Sequence, residues 1–162
     1  MIKMSKIIVI YDSLTGNTEM MASAVAKGVA KAGVEVILKK AEDSNPQDLV
    51  AADGIIMGSP TYFGQMSSRL KQLIDETIKV HKELSGKVGG AFASCGGKAS
   101  GGETTLLSII HAMLIHGMIV QGRADDKHYG VAVEGVPKKV DLADCEKLGK
   151  IVAELVKRLN PT

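Results

Sequence analysis

The sequence predicts an α/β fold in which five parallel strands alternate with helices to give a doubly wound sheet. Three observations carry that expectation. Uninterrupted apolar runs, Ile7-Ile8-Val9-Ile10 and Ile55-Ile56-Met57, read as strands covered on both faces. Between them, Met21, Val25, Val29 and Ala32 recur at the three-and-four spacing of a one-faced helix. Runs and periodic stretches alternate along the chain, as a right-handed crossover sheet requires. A length of 162 residues with 45% hydrophobic content suits one domain, residues 1–162.

Taken in order, the first strand ends at Tyr11, and a polar junction leads into a helix that stops at Ala32-Gly33. Val34 to Leu38 forms the second strand. Asn45-Pro46 starts a short helical turn to about Val50, and Asp53-Gly54 turns the chain into the third strand, Ile55 to Met57. After a Ser59 to Gly64 loop, a helix buries Met66, Leu70, Leu73 and Ile74. Val80 to Lys87 connects to the fourth strand, Val88 to Ser94, which runs into a glycine-rich stretch ending near Glu103. The next helix, Leu106 to Ile115, is apolar around nearly its whole circumference. An excess apolar face marks a partner surface, expected around Ile109, Ala112 and Met113 of a homodimer or homotetramer. His111 is expected to be buried and satisfied there. Met118 to Gln121 is the fifth strand, and Gly122 to Val140 a long polar connection expected to form a lid or rim, with His128 and Tyr129 as its ligand contacts. Asp141 caps the last helix, whose buried face is Cys145, Leu148, Val152, Leu155 and Leu159.

Chemistry concentrates where the first strand meets its helix. Ser13-Leu14-Thr15-Gly16-Asn17-Thr18 places hydroxyls, an amide and a Cβ-free residue at a helix start, where unpaired N–H groups and the helix dipole stabilise an anion. A phosphate is expected. The lysine and second glycine of a nucleoside-triphosphate loop are missing, as are the three glycines of a dinucleotide fingerprint and the Cys and Arg of a phosphatase loop. Asp12 lacks the partner acid that a phospho-accepting domain would carry after the third strand. Two of the chain's few aromatics fall in Pro60-Thr61-Tyr62-Phe63-Gly64, beyond a strand's carboxyl end, where open α/β sheets bind ligands. Ser94-Cys95-Gly96-Gly97-Lys98-Ala99 offers free backbone amides to the polar edge of a planar heterocycle.

Composition removes other classes. Cys95 and Cys145 make neither a metal pattern nor a disulfide framework, and no metal site is expected. A net charge of +2, without a basic cluster interleaved with aromatics, argues against nucleic acid. No apolar run reaches the length of a membrane span, and Met1 to Ser5 is too short for a leader, so a cytoplasmic protein is expected.

The three loops together resemble the FMN-binding loops of flavodoxin-fold proteins, over essentially the whole chain. Within that superfamily, Gly102-Glu103-Thr104-Thr105-Leu106-Leu107, His116-Gly117-Met118 and Tyr129-Gly130 resemble the NAD(P)H:quinone oxidoreductases of the tryptophan-repressor-binding-protein type. Tyr62 stands where those reductases commonly carry Arg, and is more like a flavodoxin stacking residue. The resemblance implies the strand order 2-1-3-4-5. It places the FMN phosphate at Ser13 to Thr18, one side of the isoalloxazine at Thr61, Tyr62 and Phe63, its polar edge at Ser94 to Ala99, and His116 close to the flavin. It also implies hydride transfer from NAD(P)H to FMN and onward two-electron reduction of a quinone, with a flavodoxin-type electron carrier as the alternative.

Overall fold

The computed structural model describes residues 3–161. Its sheet follows the order β2-β1-β3-β4-β5, all pairs parallel, as expected. The strands are β1 (Lys6–Tyr11), β2 (Glu35–Lys40), β3 (Gly54–Pro60), β4 (Val88–Cys95), β5 (Ile119–Val120) and β6 (Val131–Glu134). The helices are α1 (Asn17–Lys31), α2 (Pro46–Val50), α3 (Ser68–Glu76), α4 (Gly102–Ile115) and α5 (Lys139–Leu159), with 3₁₀ turns at Ala41–Asp43 and Thr77–Val80. The apolar runs of β1 and β3 are buried throughout because α1 and α5 cover one face, with Val25, Val29, Val152 and Val156, while α3 and α4 cover the other, with Leu70, Leu73, Leu106 and Ile109.

The fifth strand differs from its expectation. Instead of one run from Met118 to Gln121, two short strands share that edge of β4: β5 pairs with Val88 and Gly89, and β6 pairs with Phe92 to Cys95. The polar connection after Gln121 therefore contains a strand. Gln121 to Gly130 is an excursion from the sheet edge, and Gly130, at φ 125°, brings the chain back beneath the Ala91 carbonyl, which an added Cβ would approach to 2.1 Å.

The faces of α4 are also reassigned. Ile109 and Met113 are buried against this chain's own sheet, so they are no partner surface, whereas Leu114 and Ile115 are 55% and 78% exposed. His111 is exposed rather than buried. In α5, Cys145, Leu148 and Val152 are buried as expected, but Leu159 at the last turn is exposed. That helix starts at Lys139, and Asp141 acts at its start by accepting the Lys138 N–H at 2.7 Å.

Two glycines set the spacing between α1 and α5. A Cβ on Gly28 would come within 1.9 Å of the Glu146 carbonyl oxygen, and one on Gly149 within 2.1 Å of the Val25 carbonyl oxygen. The helices meet backbone to backbone, and Lys27 and Lys31 close the seam on the Glu146 carboxylate at 3.0 and 2.7 Å. Gly28→Ala should force the helices apart and cost about 1–3 kcal/mol, read as a lower urea midpoint. A variant as stable as wild type would show that this seam yields without cost.

Candidate functional site

All three candidate loops lie at the carboxyl edge of the sheet, because parallel strands bring their ends to one side. The first follows β1. Gly16, at φ 97°, is the N-cap of α1, and its N–H donates to the Ser13 hydroxyl at 3.1 Å. No side chain caps α1, so its first amide N–H groups are open to an anion. Leu14 and Thr15 are exposed, Ser13 and Asn17 are half-buried, and Thr18 is buried. Below the loop, the Tyr11 hydroxyl donates to Glu19 Oε1 at 2.8 Å, and burial followed by that carboxylate pushes the phenol up to about 12.

Ser94, at the end of β4, joins this loop to the other two. Its hydroxyl shares a 2.8 Å hydrogen bond with Thr18 Oγ1, and its carbonyl accepts the Thr61 N–H at 2.8 Å. Thr105 of α4 donates from Oγ1 to the Gly101 carbonyl at 2.8 Å and shares a 3.0 Å hydrogen bond with Thr61 Oγ1, extending the chain of contacts into the next helix. The aromatic loop is pinched by Tyr62 and Gln65, which exchange backbone hydrogen bonds at 3.0 and 3.1 Å. Phe63 and Gly64 at its tip have φ of 51° and 76°, and Phe63 projects wholly into solvent. Tyr62 is 40% exposed. Pro60, closing β3, is half-buried. Gly64 nests against Gly101, where an added Cβ would meet Gly64 Cα at 2.6 Å.

In the glycine-rich loop, an added Cβ at Gly96 or Gly97 would touch nothing within 4 Å. Lys98 and Ala99 are exposed, and the Cys95 thiol is turned to the Val133 carbonyl at 3.5 Å. A cleft of about 540 Å³ opens beside this loop, with Cys95, Lys98, Glu103 and Glu134 among its walls. Glu134 and its neighbour Ala132 come from β6, so sequence reasoning that treated residues 122–140 as loop missed them; the Val131, Val133 alternation is the signal that identifies the strand.

One candidate does not join the site. His116 follows the last residue of α4, about 21 Å along the helix from Gly102 at 1.5 Å per residue. It leads into β5 at the start of β4, the opposite edge of the sheet. His116 Nε2 lies 2.7 Å from Thr77 Oγ1, whose O–H donates to the Ile74 carbonyl, so the imidazole donates from Nε2 and its buried Nδ1 has no partner. The expectation that it approaches a flavin is corrected for this chain. His128 and Tyr129 belong to the excursion at the sheet edge, where His128 Nδ1 bonds the Arg123 carbonyl at 2.9 Å. Lys127 and Asp125 of the same excursion pair with Asp144 and Lys147 of α5. Among the described residues no cluster suits a metal ion and no helix is long and apolar enough to cross a membrane.

One contact was not foreseen. Asp12, at the root of the first loop, is buried and accepts the Arg69 Nε–H at 2.8 Å. That hydrogen bond, and after it the nearby Tyr62 phenol, hold the guanidinium above its ordinary value.

Residues 5–125 match the family described as NADPH-dependent FMN reductase. The chain belongs to that family. It is 38% identical to an NAD(P)H dehydrogenase (quinone) from Archaeoglobus fulgidus, over 96% of this chain and 100% of that one. It is 37% identical to a flavodoxin from Aquifex aeolicus, over 94% and 88% of the two chains. Among solved structures, an archaeal flavodoxin superposes with a TM-score of 0.81 at 31% identity, covering 94% of this chain and 99% of its own. A WrbA-like flavodoxin from Agrobacterium tumefaciens gives 0.81 at 26% identity, over 95% and 98%. The protein is therefore an FMN-dependent oxidoreductase. The uncapped start of α1 and the open space at Gly96 and Gly97 fit such a cofactor.

Burial, then the neighbouring His81, lowers the His116 pKa below its ordinary 6.5. The folded state thus binds fewer protons here than the unfolded chain, and the stability His116 confers above about pH 6.5 is lost as pH falls through its folded-state pKa. Thermal melts between pH 7 and pH 5 should show a steeper fall for wild type than for His116→Gln. Equal slopes would remove the histidine from the pH dependence.

Proposed function

We propose that this FMN protein oxidises NAD(P)H and reduces quinones at the carboxyl edge of its sheet. The observation that carries the reading is an uncapped helix start next to an exposed aromatic loop, Tyr62 and Phe63, in a chain similar to the Archaeoglobus quinone reductase. Ser13, Leu14, Thr15, Gly16, Asn17 and Thr18 would wrap the phosphate with N–H and hydroxyl donors. Pro60, Thr61, Tyr62, Phe63 and Gly64 would flank the ring, and Ser94, Cys95, Gly96, Gly97, Lys98 and Ala99 would meet its polar edge with backbone groups. When bound, FMN supplies the exchange of two electrons between a hydride donor and an acceptor. The chain's own part is to orient the ring, keep one face accessible and exclude water behind it; no acid or base residue is required for the nicotinamide half-reaction. The free thiols accord with the reducing cytoplasm, where we place this activity.

A carrier reading has support in Tyr62 and in the similarity to the Aquifex flavodoxin. Anaerobic mixing separates the two. NADH or NADPH should bleach the flavin absorbance of the oxidised holoprotein directly, and a quinone should restore it. Failure with both nucleotides would leave an electron carrier.

We further propose a homodimer or homotetramer, with Leu114 and Ile115 at the contact because they are the exposed apolar residues where α4 ends. Light scattering should report an oligomer that Ile115→Asp weakens. A monodisperse wild-type monomer at micromolar concentration would sink this assembly.

A further inference from the structure

The loop read above as the phosphate site carries no basic residue from Tyr11 to Met20, yet it is flanked by two carboxylates, Asp12 and Glu19. A phosphate monoester adds roughly 1.5 to 2 further negative charges. Glu19 is exposed to solvent and engaged by the Tyr11 hydroxyl at 2.8 Å. Asp12 is not screened in that way. Its side chain is 9% exposed, its N–H donates to the Gly58 carbonyl at 3.1 Å, and the residue after it begins the phosphate loop. Oδ1 is paired with Arg69 Nε at 2.8 Å, while Oδ2 is buried without a partner. An unneutralised carboxylate in that position would oppose an incoming phosphate with little water between them to screen it.

Arg69 is on the first turn of α3. Its Nη2 is buried and also has no partner, so only one arm of the guanidinium fork is used on Asp12. We propose that Arg69 is the counter-ion of the phosphate loop, a positioning residue that neutralises Asp12 so that the start of α1 can accept the FMN phosphate. The inference rests on the assignment of Ser13 to Thr18 to that phosphate. It accounts for an arginine on α3 whose contacts reach across to the end of β1, and for the absence of cationic side chains in the loop itself.

The coupling gives a distinctive pattern of affinities. Apoprotein is titrated with FMN and with riboflavin, which lacks the phosphate, following flavin fluorescence, for wild type, Arg69→Met, Arg69→Lys, Asp12→Asn and the Asp12→Asn/Arg69→Met pair. Wild type should prefer FMN. Arg69→Met should lose FMN affinity by about tenfold or more while riboflavin affinity is kept, because like charges at short range in partly desolvated surroundings repel at that scale. Arg69→Lys should keep most of the preference, and the double variant should regain it, since removing the carboxylate removes the need for the cation. Equal losses for both flavins in Arg69→Met, or no recovery in the double variant, would overturn the proposal. Should Arg69→Met fail to fold, Asp12→Asn and the double variant still decide: both must discriminate FMN from riboflavin at least as well as wild type. A wild type that binds the two flavins equally would instead refute the phosphate assignment.

Discussion

Ser94 holds the ligand edge of this protein in one arrangement. A single residue at the end of β4 reaches the first loop through its hydroxyl on Thr18 and the aromatic loop through its carbonyl on the Thr61 N–H, both at 2.8 Å. Ser94 and Thr18 are buried, so each bond contributes about 1 kcal/mol net, and an unpaired hydroxyl there would cost about 1–3 kcal/mol. Loops after β1, β3 and β4 are therefore in register with one another before any ligand arrives, which lowers the ordering cost of binding. Thr105, bonded both to Thr61 and to the Gly101 carbonyl, carries the same constraint into the first turn of α4.

That arrangement depends on small residues at the crossings beneath it. Gly58 of β3 sits opposite Phe92 of β4, and a Cβ there would come within 1.9 Å of the Phe92 ring. The fully buried ring occupies the space that a side chain at 58 would take. Gly64 and Gly101 do the equivalent in the loops, letting the aromatic turn approach the start of α4. Left-handed φ at Gly64, Gly101 and Gly16 shapes the turns themselves. Glycine at these points is thus a packing requirement as well as a conformational one.

The parts of the fold legible in the sequence are those whose pattern reports burial directly. The apolar runs of β1 and β3, the periodic face of α1 and the polar junctions between them are each dictated by local contrast, and the positions of the three candidate loops followed from them. What escaped was set by tertiary partners. On α4 nearly every residue from Leu106 to Ile115 is apolar, so the sequence carries no contrast with which to tell the sheet-facing side from the solvent-facing one. β6 was hidden because four residues flanked by glycines and charges resemble a loop until Phe92 to Cys95 provide their partner. The His116 expectation came from likeness of the His116-Gly117-Met118 run, which fixes the turn into β5 but says nothing about which edge of the sheet that turn occupies. Asp12 and Arg69 lie 57 residues apart in sequence, and no periodicity links them.

Enzyme and carrier differ in what must reach the flavin, and the surroundings of the glycine-rich loop bear on that difference. A carrier needs only an exposed ring edge and a docking surface, whereas a reductase must seat a second planar molecule against the ring in each half-reaction. Between Ser94 and Glu103 there is no aromatic to cover a ring, and Gly96 and Gly97 border open space. The neighbouring cleft of about 540 Å³ is within the range of small-molecule sites, with Lys98 set against Glu103 and Glu134 on its walls. Phe63 stands free at the tip of a turn fixed by Tyr62 and Gln65, and the adjacent Gly64 abuts Gly101 of the cleft wall. An exposed apolar ring beside a roomy, mixed-charge cleft suits a small amphipathic acceptor better than the uniformly charged face that steers one protein onto another.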